Sequence, residues 1–331
     1  MSATRIPGFP RRRLLKGAAA GAVAAGAGTV AAGAPASAAG PGKATANTTA
    51  DATADGVTFR WFGTSGWRID AGARTLLVDP YLTRFPTGLF TKPFDAATPL
   101  TTNEALVTEH IGRPELVLVT HSHWDHFNDV PFVAATTAAQ IVGTETTYHL
   151  LRAYGVDPAR IVVVKGGEVL DFGGYAVRVV SARHSRNAAH GYFAPGTLHG
   201  AAVPPRPATI ADLPEGDTLA FHVGFDGGPS AFLMGASDFS ERDTAGLRPD
   251  VAMIAPPTST STRDYVPRLL TALGSPRVVV PVHWDNFETP LSEPPRRDPA
   301  VDWSAFLGQV HATAPRSGVV VPEYLTPYSF G

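Results

Sequence analysis

The chain has 331 residues, of which 44% are hydrophobic and 17% are charged, and this is the composition of an ordinary globular protein. It contains no cysteine, so disulfide bonds, thiolate nucleophiles and cysteine-ligated zinc sites are excluded. Residues 1–38 hold five of the 27 basic residues and none of the 29 acidic ones, so the rest of the chain has a net charge of −7, which disfavours a nucleic-acid partner.

The first 38 residues have the pattern of an export signal. The basic segment Arg11–Lys16 precedes an apolar, Ala- and Gly-rich run over 17–33, and small residues at 34–38 offer a cleavage site. The paired arginines resemble a twin-arginine signal. Since the run is short and weakly hydrophobic for a membrane span, we expect removal of the signal, export to the periplasm, cell wall or medium, and no stable membrane anchor. Residues 39–56 lack large apolar side chains and are predicted to be a flexible linker.

Residues 57–331 are predicted to form one α/β domain. Three short strand patterns at 57–62, 66–70 and 74–79 predict an antiparallel meander, and the third ends at Asp79. The Pro-, Thr- and Phe-rich residues 81–113 show no clear periodicity, so we expect a long loop there.

The most informative motif follows the apolar strand pattern at 115–120. It is His121-Ser122-His123-Trp124-Asp125-His126, with three imidazoles and one carboxylate in six residues. These side chains are the ligand types of a divalent metal such as zinc. A single histidine is more often a packed or surface residue, but four such side chains directly after a strand favour a metal site.

Later strand patterns lead to further candidate ligands. The pattern at 175–180 precedes His184, and the patterns at 230–235 and 277–282 precede Asp238 and His283. Functional groups gather at the carboxyl ends of strands in α/β sheets, so these residues, His121 and Asp79 are expected to meet at one edge.

A Gly-, Pro- and Ala-rich segment at 186–216 lies between these patterns. A loop of this length is usually functional or disordered, and we expect a loop on the substrate side, with plain disorder as the alternative. Its Tyr192, His190 and His199 are candidate substrate contacts, although solvated loop residues are the simpler interpretation.

Aromatic residues beside the candidate ligands are weaker predictions. Trp124, Phe127 and Trp284 are as compatible with the core as with the wall of a pocket.

The ordered set of motifs resembles the metallo-β-lactamase superfamily, whose hallmark H-x-H-x-D-H is complete at 121–126. The resemblance covers about residues 57–325. The segments Val78-Asp79-Pro80-Tyr81-Leu82 and Pro281-Val282-His283-Trp284-Asp285-Asn286 are most similar to the branch that holds ascorbate-6-phosphate lactonase and N-acyl-phosphatidylethanolamine phospholipase D.

This resemblance implies a four-layer αββα sandwich with two mixed sheets inside, and two divalent ions, zinc or alternatively manganese or iron. By the same resemblance, the first ion would be held by His121, His123 and His184. The second would be held by Asp125, His126 and His283. Asp238 would bridge both ions, and Asp79 would orient the ligands. One departure is that Ser237 precedes Asp238, where the family usually has glycine.

The function expected from this set is that of an exported metal-dependent hydrolase acting on a small molecule. Two ions that share a water can lower its pKa towards about 7, and the shared hydroxide would attack an ester, a lactone or a phosphodiester. Asp125 could also take part in proton transfer. An iron-dependent oxidoreductase on the same sandwich and a non-catalytic metal-binding protein are the alternatives.

Overall fold

The computed structural model describes residues 56–91 and 93–331, and the predicted export signal and nearly all of the predicted linker lie outside this range. Within it the chain forms two seven-stranded sheets. The first sheet has the strand order β14-β1-β2-β3-β4-β5-β6, and the second has the order β13-β12-β11-β10-β9-β8-β7. The strands are β1 Val57–Gly63, β2 Gly66–Ala71, β3 Arg74–Val78, β4 Leu116–Leu118, β5 Gln140–Gly143, β6 Ile161–Val163, β7 Val169–Asp171, β8 Tyr175–Ser181, β9 Leu219–Phe225, β10 Ser230–Met234, β11 Val251–Ile254, β12 Val278–Pro281, β13 Gly318–Val319 and β14 Pro327–Tyr328.

Both sheets are mixed. In the first, β1 to β3 pair antiparallel and β3 to β6 pair parallel. In the second, β7 to β10 pair antiparallel and β10 to β13 pair parallel. The parallel half of each sheet points its carboxyl ends the same way, so the residues that follow those strands collect at one edge.

In the described part of the chain, six α-helices cover the outer faces of the sheets. They are α1 Glu104–Ile111, α2 Trp124–Phe127, α3 Val130–Thr136, α4 Glu145–Ala153, α5 Tyr265–Ala272 and α6 Trp303–Thr313. Side chains at the first turns fix where α4 and α6 begin, since Thr144 accepts a hydrogen bond from Thr147 N and Asp302 accepts one from Ala305 N.

Three apolar cores separate the four layers. Alternate residues of one strand point to different cores, as the two-residue period of a strand requires. Leu76 and Val78 of β3 lie in the core between the two sheets, whereas Leu77 lies in the core under α1, α3 and α4. A third core packs α5 and α6 on the second sheet. The predicted four-layer αββα sandwich is confirmed.

Two local expectations were wrong or incomplete. Residues 81–113 are not a continuous loop, because α1 forms within them with Asn103 as its N-cap, accepting a hydrogen bond from Leu106 N. The strand β14, which closes the first sheet against β1, has only two residues and carries no strand pattern of its own. None of the helices in residues 56–91 and 93–331 is long and apolar enough to cross a bilayer.

Candidate metal centre

The candidate ligands lie at the carboxyl ends of strands from both sheets. Asp79 directly follows β3, and His121 follows β4 by three residues. His184 and His283 follow β8 and β12 of the second sheet. The sandwich therefore brings ligands from both sheets to one edge, and the structure groups six of them into two sets of three.

The first ligand group consists of His121, His123 and His184. Their ring centroids are 4.6 to 4.9 Å apart, and one nitrogen of each ring lies within 4.8 Å of the others. Nε2 of His121 and Nε2 of His123 are buried and have no hydrogen-bond partner among the described residues. Buried polar atoms are rarely left unpaired, so this group fits a metal ion as the missing partner.

The second ligand group consists of Asp125, His126 and His283. Asp125 Oδ2 lies 3.1 Å from His283 Nε2 and 3.4 Å from His126 Nε2. The carboxylate distinguishes this group from the first, whose three side chains are all imidazoles. Imidazole and carboxylate together are a donor set for a borderline divalent cation, so this group also fits a metal ion.

Asp79 orients the second ligand group. Its side chain is fully buried, and Oδ2 lies 2.8 Å from His126 Nδ1. Both oxygens are further fixed by Thr120, whose backbone N donates at 2.7 Å and whose hydroxyl donates at 2.5 Å. With Nδ1 of His126 bonded to Asp79, Nε2 is left to face Asp125, which is how a carboxylate outside a metal site sets the ligand tautomer.

Burial and neighbouring charges shift the histidine pKa values in different directions in the two groups. Burial, followed by the neighbouring His184, lowers the pKa of His123 to about 3, and burial with His126 lowers the pKa of His121. Burial alone would also lower the pKa of His126, but the carboxylates of Asp125 and Asp79 outweigh it and raise that pKa to about 10.

A buried network holds the loop that carries His283. His283 N donates to Thr64 O at 2.7 Å, and Thr64 N donates to Asp285 Oδ1 at 2.9 Å. Asp285 Oδ2 accepts from Tyr324 at 2.7 Å and lies 4.0 Å from Arg84 Nη2, with both charged side chains at 2% exposure or less. The network packs against the backbone of Gly63 (φ +84°), where a Cβ would collide with Arg84.

The segment 186–216 supports the first ligand group. Tyr192 stacks on His184 with ring centroids 4.6 Å apart, and its hydroxyl donates to Glu215 Oε2 at 2.9 Å. Glu215 O accepts from Ser122 N, between the first two histidines of the motif. His123 is contacted from the same segment by Phe193, with ring centroids 5.9 Å apart.

Asp238 is not brought to either group. Gly235, at the end of β10, faces His126 so closely that a Cβ would lie 3.0 Å from His126 Cε1. After Gly235, Ser237 N and Oγ both bond Ser185 Oγ at 2.8 Å, and Arg183 N donates to Asp238 O at 3.0 Å. Asp238 Oδ1 accepts from Phe239 N instead. Within residues 56–91 and 93–331 the two groups therefore share no ligand, and the bridging role stays a prediction from the resemblance.

A cavity of about 450 Å³ opens onto both ligand groups. Of the weaker sequence candidates, Trp124 and Tyr192 line it, while His190 and His199 do not. Phe127 is buried in the core under the helices, and Trp284 stacks on Trp61 in the core between the sheets.

Sequence reasoning missed Arg84, Thr120, Glu215 and Asp285. Thr120 could have been singled out from the sequence, because it lies directly between the strand pattern and the motif. The others pair with residues far away in sequence, which leaves no local pattern.

The chain is similar to a known protein family and to proteins that carry a functional description. A family described as the Beta-lactamase superfamily domain matches residues 58–283. The chain is 28% identical over 251 residues to a protein of Polynucleobacter asymbioticus described as a UPF0173 metal-dependent hydrolase, covering 73% of this chain and 79% of that protein.

Two solved structures show the same fold. The metallo hydrolase Igni18 from Ignicoccus hospitalis superposes with a TM-score of 0.53 at 21% identity, covering 83% of this chain and 99% of Igni18. CmlA, a diiron beta-hydroxylase from Streptomyces venezuelae, superposes with a TM-score of 0.52 at 14% identity, covering 84% of this chain and 55% of CmlA.

Proposed function

This chain belongs to the beta-lactamase superfamily, and from that premise we propose that it is a metal-dependent hydrolase with a dinuclear centre. The observation that carries the proposal is the presence of two separate three-ligand groups at one cavity. The description of the Polynucleobacter relative as a metal-dependent hydrolase supports the same activity.

The metal ligands, Asp125 and Asp79 would have different roles in this reaction. A pair of divalent ions at these ligands would supply an activated water and polarise the oxygen that gains charge. Asp125 faces both His126 and His283, and it is the carboxylate placed to accept a proton beside the reacting atoms. Asp79 acts from behind the site by holding the His126 ring in one orientation.

We propose zinc as the resident metal, with manganese and iron as alternatives. Five imidazoles and one carboxylate suit a borderline cation, and the first ligand group consists of imidazoles alone. CmlA shows that the fold can also belong to an oxidoreductase, so an iron-dependent oxidoreductase is the competing function. Elemental analysis of protein purified without added metal separates zinc or manganese from iron.

The reaction proposed is hydrolysis of an ester, a lactone or a phosphodiester in a small molecule, in keeping with the resemblance to the lactonase and phospholipase D branch. We also propose that the protein is exported through the signal pattern at 1–38. Cell fractionation with antibody detection tests export, and replacing Arg11, Arg12 and Arg13 with lysine should retain the protein in the cytoplasm.

The decisive experiment is a hydrolysis panel with zinc-loaded protein. It contains p-nitrophenyl esters, lactones, bis-p-nitrophenyl phosphate and a cephalosporin, and His121→Ala serves as the blank. Turnover that disappears in His121→Ala is the expected result. Equal rates in the two proteins, or zinc-independent turnover, would reject the proposal.

A further inference from the structure

One side of the cavity at the ligand groups is aromatic. We call it the aromatic wall, and it consists of Phe90, Trp124, Phe193 and Phe287. The rings contact one another in series, with Trp124 and Phe193 centroids at 5.5 Å, Trp124 and Phe287 at 6.2 Å, and Phe90 and Phe287 at 5.1 Å. The wall begins at the ligands themselves, since His123 lies 5.9 Å from Phe193 and His283 lies 5.2 Å from Phe287.

The aromatic wall extends outward to the surface. Leu89 lines the mouth of the cavity and is 45% exposed, and Phe94, 36% exposed, packs its ring against Phe193 at 5.0 Å. Large apolar side chains that line a cavity and continue to its mouth are typical of a binding site for an apolar group.

Apart from the two ligand groups, the side chains that line this cavity offer little charge to a substrate. Among its lining residues in the described part of the chain, Arg186 and Asp298 are the charged side chains outside the ligand groups, and their charges are opposite. Arg186 is exposed and donates to His190 O at 2.9 Å, so part of its hydrogen-bonding capacity is already used. Phosphate recognition by a protein usually relies on several charged donors aimed at the oxygens.

We infer that the substrate is an uncharged carbonyl compound, an ester or lactone, whose apolar acyl chain lies along the aromatic wall while its carbonyl faces the two ligand groups. This inference rests on the proposed hydrolase function and narrows its substrate class. Hydrolysis breaks the bond between the carbonyl carbon and the ester oxygen. The hydroxyl of water joins the carbon, and a proton joins the leaving oxygen. A cavity of about 450 Å³ holds a molecule of drug-like size.

The test measures the effect of chain length in two independent ways. The zinc-loaded protein is assayed with p-nitrophenyl acetate, butyrate and hexanoate, and alkyl hydroxamates of the same lengths are titrated by calorimetry as non-hydrolysed probes. Each methylene buried on the wall should raise kcat/KM and hydroxamate affinity by about two- to fourfold. Hexanoate should also be hydrolysed faster than bis-p-nitrophenyl phosphate.

Two substitutions test whether the aromatic wall causes the dependence on chain length. Phe193→Ala should flatten the dependence on chain length in both measurements. Phe172→Ala is the matched control, because Phe172 is also a half-buried loop phenylalanine but stacks on Tyr175 away from the cavity, and it should keep the dependence.

The possible failures are distinguishable. Hydroxamate affinity that does not change with chain length overturns the inference whether or not esters are hydrolysed, and so does a preference for the phosphodiester. Chain-dependent hydroxamate binding without turnover of any substrate in the hydrolysis panel overturns the hydrolase function and still supports the apolar site.

Discussion

The two ligand groups are held in place by different parts of the molecule. The second group is fixed by fully buried side chains of the sandwich, with Asp79 behind His126 and Asp285 beneath the His283 loop. The first group is fixed largely by the segment 186–216, through Tyr192 on His184 and through Glu215 O, which accepts from Ser122 N beside His121 and His123.

Because of this difference, the stability of the fold and the binding of metal should respond differently to substitutions near the two groups. Disturbing the supports of the second group disturbs the core, so stability and metal binding should fall together. Disturbing the supports of the first group should change metal affinity there and leave the free energy of unfolding nearly unchanged. The four predictions below, in decreasing order of expected effect, test this separation.

The largest effect is expected from removing a ligand. His121→Ala and Asp125→Ala should each reduce hydrolysis to the uncatalysed background, because the substituted group no longer keeps three ligands, and each should remove one metal per chain. The measurements are turnover and metal content by mass spectrometry. His311→Ala, which removes an exposed histidine of α6, is the control. A variant that loses a ligand, keeps both metals and stays active would contradict the assignment.

Asp285→Ala should cost about 3–5 kcal/mol in the free energy of unfolding, because it removes the carboxylate beside the buried Arg84 guanidinium and the acceptor of Thr64 N and of the Tyr324 hydroxyl. Urea denaturation measures the loss. Replacing both residues, as Arg84→Met with Asp285→Leu, should recover part of it. Glu293→Ala removes one side of an exposed pair and should leave the urea midpoint unchanged. A small loss in Asp285→Ala would mean that the core does not hold the second group.

Tyr192→Ala should weaken metal binding at the first group by about 10–100-fold, the usual effect of losing an outer support of a ligand. Tyr192→Phe keeps the ring on His184, loses the hydrogen bond to Glu215 and should retain most of the affinity. Titration against a chromogenic chelator resolves the two sites. Equal weakening of both metals would show that the two groups are not independently supported.

The smallest effect is expected from Asp238→Asn. The carboxylate accepts from Phe239 N and belongs to neither ligand group, and an asparagine oxygen can accept the same bond, so metal content and stability should not change. Mass spectrometry and urea denaturation check this. Loss of metal from both groups would instead show that the Gly235–Asp238 turn rearranges around bound metal and that Asp238 bridges the ions.

The strand patterns predicted most of the strands because each pattern is local, whereas the four-layer sandwich was implied by the resemblance to the metallo-β-lactamase superfamily. The sequence also predicted that the candidate ligands follow strand ends, since β4, β8 and β12 each show an apolar run before the histidine. What it could not predict depends on distant contacts. Arg84 and Asp285 are 201 positions apart, and the aromatic wall draws its rings from four separate segments.

One further miss has a local physical reason. The helix α1 buries only Val107 and Ile111, a single pair one turn apart, so its periodicity is weak in a Pro- and Thr-rich setting.

The pairing of β14 with β1 has a consequence for the order of synthesis. The strand β1 leaves the ribosome early, but its outer edge stays open until Pro327 and Tyr328 emerge. At about 5–20 residues per second this interval is on the order of tens of seconds. An open strand edge invites pairing with other chains, so we expect chaperones to engage nascent chains at β1. Proteolysis of ribosome-stalled chains ending before and after residue 328 would reveal when that edge closes.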